Sequence, residues 1–269
     1  MPESVLLFLF LGFAIGSFLN VVVLRLEADK LVNGRSHCPS CGTLIHWYDN
    51  IPVLSFFLLG RRCRRCHFPI SWQYPTVELG TGLLFALFGS LAIGSGSLED
   101  ITRVVYYLFL VALLITIAVY DARNMEIPLV LLLSGVGGTL AFVAVTGFLQ
   151  GIVTFSLYDP VMLLIAGGVI SASLFYALVF YSKETWMGMG DVWLAGIAGA
   201  AVGLPALLLL FTLSFFFGAI VGGVLLFLKK KGMGSQVPFA PFLALGTLST
   251  LLLQAFNPWW LSLFLLPLV

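Results

Sequence analysis

Charge is scarce in this sequence: of 269 residues only 9% are Asp, Glu, Lys or Arg, and histidine occurs three times. A water-soluble domain carries about a quarter of its residues charged. The formal balance is +1, which excludes the basic face that binding to nucleic acid requires. The N-terminus lacks the basic start and the small-residue cleavage site of a removable signal peptide, so the apolar run Val5–Leu24 reads as a retained span. Neither an internal repeat nor a low-complexity tract stands out along the chain.

What fills the sequence instead is apolar surface. Hydrophobic residues make up 60% of it, and the mean hydropathy is +1.09. The lipid bilayer is then the main solvent and partners are expected in the membrane. A helix needs about 20 apolar residues to cross the hydrocarbon core. By that measure spans are expected at 4–24, 76–95, 104–121, 127–149, 160–181, 191–203, 205–228 and 240–267. The sixth is short and rich in Gly and Ala, as for a helix packed inside a bundle. Leu98 to Thr102 and Gln150 to Asp159 read as short external loops.

Lys and Arg in short loops stay on the cytoplasmic side. With the N-terminus outside, Arg25, Lys30, Arg35, Arg61, Arg62, Arg64, Arg65, Arg123, Lys183, Lys229, Lys230 and Lys231 all fall on that side, and only Arg103 does not. The expected fold class is an all-α polytopic membrane protein of about eight transmembrane helices, with a small cytoplasmic insert between helices 1 and 2. Residues 1–24 are its first helix, 25–75 the insert and 76–269 the main bundle.

The insert holds all four cysteines, as Cys38-Pro-Ser-Cys41 and Cys63-Arg-Arg-Cys66 with 21 residues between the pairs. That is the spacing of a four-thiolate zinc site, which would staple a polar segment too poor in apolar residues to fold alone. Disulfides and a redox-active pair are the other readings; the charge pattern, which puts the insert in a reducing compartment, disfavours disulfides. His37, His46 and His67 lie in or beside the module and read as surface or supporting residues, since four thiolates already complete a ligand set.

Carboxylates inside spans cost about 2.5–3.5 kcal/mol at mid-bilayer, so each one calls for a partner or a role. Asp121 ends the third span before Ile127-Pro128, and Asp191 follows Gly188-Met189-Gly190 at the start of the sixth. Taken singly, each reads as a helix cap or as the partner of a nearby cation, Arg123 or Lys183. The threading nevertheless brings both to one boundary of the bilayer although 70 residues separate them. Two adjacent carboxylates do not both ionise easily and so share a proton, the arrangement in which one activates water while the other protonates an oxyanion.

Several further blocks stand in order along the chain: Gly16-Ser17-Phe18-Leu19-Asn20-Val21 running to Arg25-Leu26, Asn50-Ile51-Pro52 between the cysteine pairs, Tyr74-Pro75-Thr76-Val77-Glu78-Leu79, and Val237-Pro238-Phe239-Ala240-Pro241-Phe242. With the cysteine pairs and the two aspartate segments, this order resembles the type IV prepilin peptidases, bacterial leader peptidases that process prepilins and the pseudopilins of type II secretion systems. The resemblance spans nearly the whole chain. It implies a bifunctional enzyme of the inner membrane, with its active site at the cytoplasmic face. Such an enzyme removes the basic leader after a glycine and then methylates the new N-terminus with S-adenosylmethionine. It aligns Asp121 and Asp191 with the catalytic aspartates and ties the cysteine-bearing insert to methyl transfer. One departure is visible: the family commonly has Lys two positions after the second aspartate, where this chain has Trp193. Lys183 is a candidate substitute.

No glycine-rich Rossmann fingerprint is present to bind S-adenosylmethionine. Asn20, Arg25 and Glu78, polar groups at helix ends facing the insert, are the candidates for that step. Their plainer roles are a packing hydrogen bond, a membrane-side anchor and a helix-dipole charge. Two other functions suit the same carboxylates: an ion- or proton-coupled transporter regulated by the zinc module, and a different intramembrane protease sharing Gly-x-Gly-Asp.

Overall fold

The computed structural model describes residues 2–28, 34–92, 96–151, 159–228 and 237–256. Among them there is no strand, only two isolated bridges in the cysteine segment. The helices are α1 (Pro2–Glu27), α2 (Leu54–Leu58), α3 (Gln73–Ala92), α4 (Leu98–Asn124), α5 (Leu129–Leu149), α6 (Pro160–Ser182), α7 (Met189–Val202), α8 (Leu207–Phe227) and α9 (Ala240–Phe256). Every expected span has its helix. Among the described residues five are long and apolar enough to cross a membrane, Glu3–Glu27, Leu98–Asn124, Leu129–Leu149, Pro160–Ser182 and Leu204–Phe227; α7 and α9 are apolar but shorter there. The chain is a multi-pass membrane protein. Lys30, Lys229, Lys230 and Lys231, most of the 150–159 connection and the 257–267 end of the last span lie outside the described residues.

One expectation fails. Leu98 to Thr102, read as a loop, is the first turn of α4. Ser97 caps it by accepting the Asp100 amide at 3.2 Å, and Glu99 and Asp100 complement the dipole there.

The chain divides into two compact units, residues 1–96 with 107–116, and residues 97–106 with 117–269. In the first, α1 and α3 run antiparallel, because Phe8 meets Gly89, Gly12 meets Gly82 and Gly16 meets Glu78. Glycine is required at this seam. A Cβ on Gly12 would sit 2.7 Å from the Gly82 Cα, and one on Gly16 would sit 2.8 Å from the Glu78 Cα. Gly12 and Gly16 thus form the small-residue spacing that lets two membrane helices approach closely. Farther along, Phe88 meets Tyr107 of α4 edge to face at 5.7 Å.

In the second unit α7 is the central helix, with Leu194, Ala195 and Ala198 wholly buried. Its partner α6 comes close through Gly167 and Gly168 against Gly199, Gly196 and Ala200, and the Ser171 hydroxyl donates to the Ala195 carbonyl at 2.6 Å. Gln254 of α9 donates to the Val202 carbonyl at 2.9 Å. These contacts hold α6, α7 and α9 together.

Candidate active site and metal centre

Asp121 lies in the last turn of α4, and its carbonyl accepts the amide of Met125, the left-handed residue that closes the helix. The side chain is 5% exposed. Its Oδ2 accepts the backbone N–H of Ala240 at 3.1 Å, so a carboxylate from α4 caps the first turn of α9 across 119 residues of chain. That amide is one of the unpaired donors of a helix start, where the dipole also favours negative charge. Val237-Pro238-Phe239-Ala240-Pro241 builds the start: prolines flank it, and Phe239 is anchored between Phe175 and Phe215 at 5.9 and 5.5 Å.

Asp191 is the third residue of α7. Its Oδ2 accepts the Gly188 amide at 3.2 Å, and the Asp191 amide in turn donates to the Gly188 carbonyl, so the side chain ties down the start of its own helix. Gly190 beside it packs on Ile127 of the segment after Asp121, where a Cβ would come within 3.3 Å of the Ile127 side chain. This packing sets the start of α7 against the segment that follows Asp121. Each of the two expected aspartates accepts a backbone amide at a helix start, the capping role that either would have alone. Sequence reasoning had no signal for the third member, the Ala240 amide, beyond the proline-rich block that contains it.

Trp193 is half exposed on α7. With Met189 and Gly196 it lines an apolar cavity of about 600 Å³ bounded by α5, α6 and α7. Lys183 is the left-handed residue that ends α6.

The four cysteines form the second site. Their Sγ atoms lie within 4.8 Å of one another, no disulfide joins them, and Cys38 and Cys66 are 3.7 Å apart. A tetrahedron with metal–sulfur bonds of about 2.3 Å has edges of about 3.8 Å. The thiols thus stand at the separation a single ion needs. The three histidines are outside this cluster.

A local repeat, marked in the sequence by the two C-x-x-C pairs, builds the cluster. The Cys38 amide donates to the Thr43 carbonyl and the Gly42 amide to Cys38, both at 2.9 Å; 25 residues on, the Cys63 amide donates to Phe68 at 2.9 Å and the His67 amide to Cys63 at 3.0 Å. The His37–Leu44 bridge is matched by Arg62–Pro69. Gly42 and His67 hold the same place with φ of +68° and +56°, a conformation that costs glycine little and histidine more. Arg65 joins the two knuckles by donating to the Thr43 hydroxyl at 2.9 Å. Thr43, through its hydroxyl and backbone, holds the Cys41 thiol down to about 6. Cys66, drawn down by the Phe68 backbone but raised more by desolvation and its fellow thiols, stands at about 11. Metal binding to such an uneven set releases protons from the remaining thiols.

Asn20, Arg25 and Glu78 have structural partners. The buried Asn20 amide donates to the Gly16 and Tyr74 carbonyls and accepts from Gln73, each at 3.3 Å, which ties α1 to the start of α3. Arg25 donates to the Gly34 carbonyl at 2.8 Å. Buried Glu78 accepts the Val53 amide at 2.6 Å.

The described residues define a multi-pass helical membrane protein with carboxylates at helix ends and a cluster of four thiols. Residues 10–91 match the bacterial peptidase A24 N-terminal domain, and residues 108–224 match the type IV leader peptidase family. The chain is 34% identical to the prepilin leader peptidase/N-methyltransferase of Aeromonas hydrophila, over 97% of this chain and 94% of that protein. It is 32% identical to the protein of the same name from Pseudomonas aeruginosa, over 90% and 87%. With the one from Myxococcus xanthus it shares 38% identity over 81% of this chain and spans 62% of that relative's length. No solved structure matches. The chain belongs to the type IV leader peptidase family and is an enzyme.

Proposed function

We propose that this protein removes the leader peptide from type IV prepilins or type II secretion pseudopilins, using Asp121 and Asp191, and then N-methylates the new terminus with S-adenosylmethionine. The observation that carries the peptidase reading is the packing of Gly190, the neighbour of Asp191, on Ile127 of the segment after Asp121, with Asp121 fixed by the Ala240 amide. One carboxylate, ionised, takes a proton from the water that attacks the scissile carbonyl. The other, protonated, donates to the developing oxyanion; as the C–N bond breaks, the proton taken from water passes to the leaving nitrogen and the second carboxyl recovers its own from the collapsing hydroxyl. No covalent enzyme intermediate forms. The Ala240 amide holds Oδ2 of Asp121, which leaves Oδ1 for proton transfer.

Residues 1–24 form the first span in this reading, 25–75 a zinc module tied to methyl transfer, and 76–269 the peptidase bundle. The thiol separations suit zinc, which would be held by Cys38, Cys41, Cys63 and Cys66 in a closed, structural site. The methyl donor supplies an electrophilic carbon to the free amine. Arg25 has the charge to pair with the donor's carboxylate, while Asn20 and Glu78 act as positioning residues through α1, α3 and Val53. The protein resides in a bacterial inner membrane with the aspartates at the cytoplasmic face, as the Lys and Arg distribution supports. The transporter alternative has no support among the relatives.

The test uses the full chain in bilayer nanodiscs with a synthetic prepilin and labelled S-adenosylmethionine. The expected product has lost its leader and gained about 14 Da, one CH₂. Asp121→Asn and Asp191→Asn should each abolish cleavage; a variant that still cleaves sinks the dyad. Glu78→Gln and Arg25→Ala should lower methylation while cleavage continues, and unchanged methylation removes them from that step.

A further inference from the structure

The cysteine segment, polar by composition, carries an apolar face that its own unit leaves uncovered. In α2, Leu54, Phe57 and Leu58 are exposed while Ser55 and Phe56 are buried. Positions i, i+3 and i+4 share one side of a helix, so the exposed three form a single stripe. Trp72, also exposed, extends it: its ring is 4.9 Å from Phe56 and 6.5 Å from Phe57. The Arg61 guanidinium lies over Trp72 at 5.1 Å, at the edge of the apolar face.

The register of α1 and α3 tells at what depth this stripe sits. α1 is apolar from Val5 to Leu24, and Arg25 is the first charge after that run. Asn20, bonded to the Tyr74 carbonyl, lies five residues before Arg25, about 7.5 Å of helix toward the membrane interior. Trp72 is therefore level with the last apolar turn of α1. Glu78 lies deeper, its Cα against Gly16, and helical side chains lean toward the N-terminus, which for α3 is the Arg25 end. Its carboxylate accepts the amide of Val53, the residue that opens α2. Val53 has φ +62°, a conformation unfavourable for a β-branched residue, and the buried acceptor holds it there. A buried carboxylate thus pulls the start of α2 below the level of Arg25.

We infer that α2 and Trp72 form an interfacial anchor, with Leu54, Phe57, Leu58 and Trp72 set in the headgroup–acyl boundary of the phospholipid leaflet at the Arg25 end of α1. Aromatic rings favour that boundary, and Arg61, with its charge at the rim of the stripe, reaches the phosphate layer. The bilayer is the occupant because the register sets the stripe at lipid depth. The metal module is in this way fastened to the membrane surface as well as to its two flanking helices.

Tryptophan emission tests this in nanodiscs holding one protein each. The signal of Trp72 is the difference between the wild type and Trp72→Phe, and Phe57→Trp in the Trp72→Phe background is a second reporter. Lipids brominated near the headgroup should reduce both signals about twofold while aqueous iodide leaves them unchanged, as for rings at the interface. Quenching by iodide without quenching by brominated lipid would overturn the anchor. So would shielding from both quenchers, which would mean that protein covers the stripe.

Discussion

The carboxylate site and the thiol site are polar places in the same apolar chain, and they are held together differently. Asp121 and Asp191 are positioned by helix ends: α7 and α9 are fixed by close packing of small residues, and the carboxylates take the amides those ends present. The four thiols sit on two short knuckles with little buried around them; Cys41 and Cys66 are exposed. A site made of helix ends survives loss of one polar group, because the helices still pack. A site made of knuckles depends on its ion.

The largest effects should come from breaking each site at its chemistry. Asp121→Asn and Asp191→Asn remove an acid–base group, and cleavage should fall by about 10²–10⁴-fold or more while thermal unfolding in detergent barely shifts. Cys38→Ser should do the reverse to its own region. Metal content should drop from about one zinc per chain toward none, with the knuckles exposed to hydrogen exchange, because a four-thiolate site contributes folding free energy directly. If the aspartate variants unfold, or the cysteine variant stays ordered without metal, the contrast fails.

How much of this is legible in the sequence follows the same division. The spans, the cysteine pairs and the two aspartates are local features: apolar length, a C-x-x-C spacing and a carboxylate where charge is rare. Among the described residues each span has a helix and the four thiols cluster. Leu98 to Thr102 misleads because two acidic residues and a threonine look like a loop, whereas behind Ser97 the same acids make a good first turn. The Ala240 amide, the Val53–Glu78 bond and the hydrogen bonds of the knuckles are not legible. Each depends on a backbone group, and backbone groups carry no identity in a sequence. The C-x-x-C pairs mark the repeat, but its hydrogen-bond offsets are shared by Gly42 and His67, two residues with no chemical likeness.

Packing gives a middle-sized test. Gly16→Ala sets a Cβ 2.8 Å from backbone of α3 and should destabilise the α1–α3 pair by about 1–3 kcal/mol. Gly80 lies on α3 itself but faces open space, with nothing within 4 Å of where a Cβ would stand. Gly80→Ala should therefore be neutral or stabilising by about 0.5–1 kcal/mol. Unfolding midpoints of the two variants in one detergent measure the difference. Equal midpoints would mean that the glycine seam does not hold the pair.

The smallest effect is expected at Asp49, which the Arg64 guanidinium engages through both oxygens at 2.6 and 2.9 Å, joining the second knuckle to the Trp47–Asn50 turn. The hydrogen bonds from Arg64, and then its charge, hold the Asp49 carboxyl below its ordinary 3.8. A carboxyl lowered in the folded state binds fewer protons there than when the turn is loose. Its contribution is therefore complete above pH 3.8 and is lost as the pH falls from there through the lowered value. Arg64 is 62% exposed, so solvent screens the pair and its contribution is small. Hydrogen exchange at Trp47–Asn50 should rise in acid in the wild type. In Arg64→Ala it should already be slightly raised at neutral pH and should respond less to acid over that interval. Cysteine protonation loosens both proteins alike, so the difference between them isolates the ion pair, and identical acid profiles would show that the thiol centre alone holds the turn.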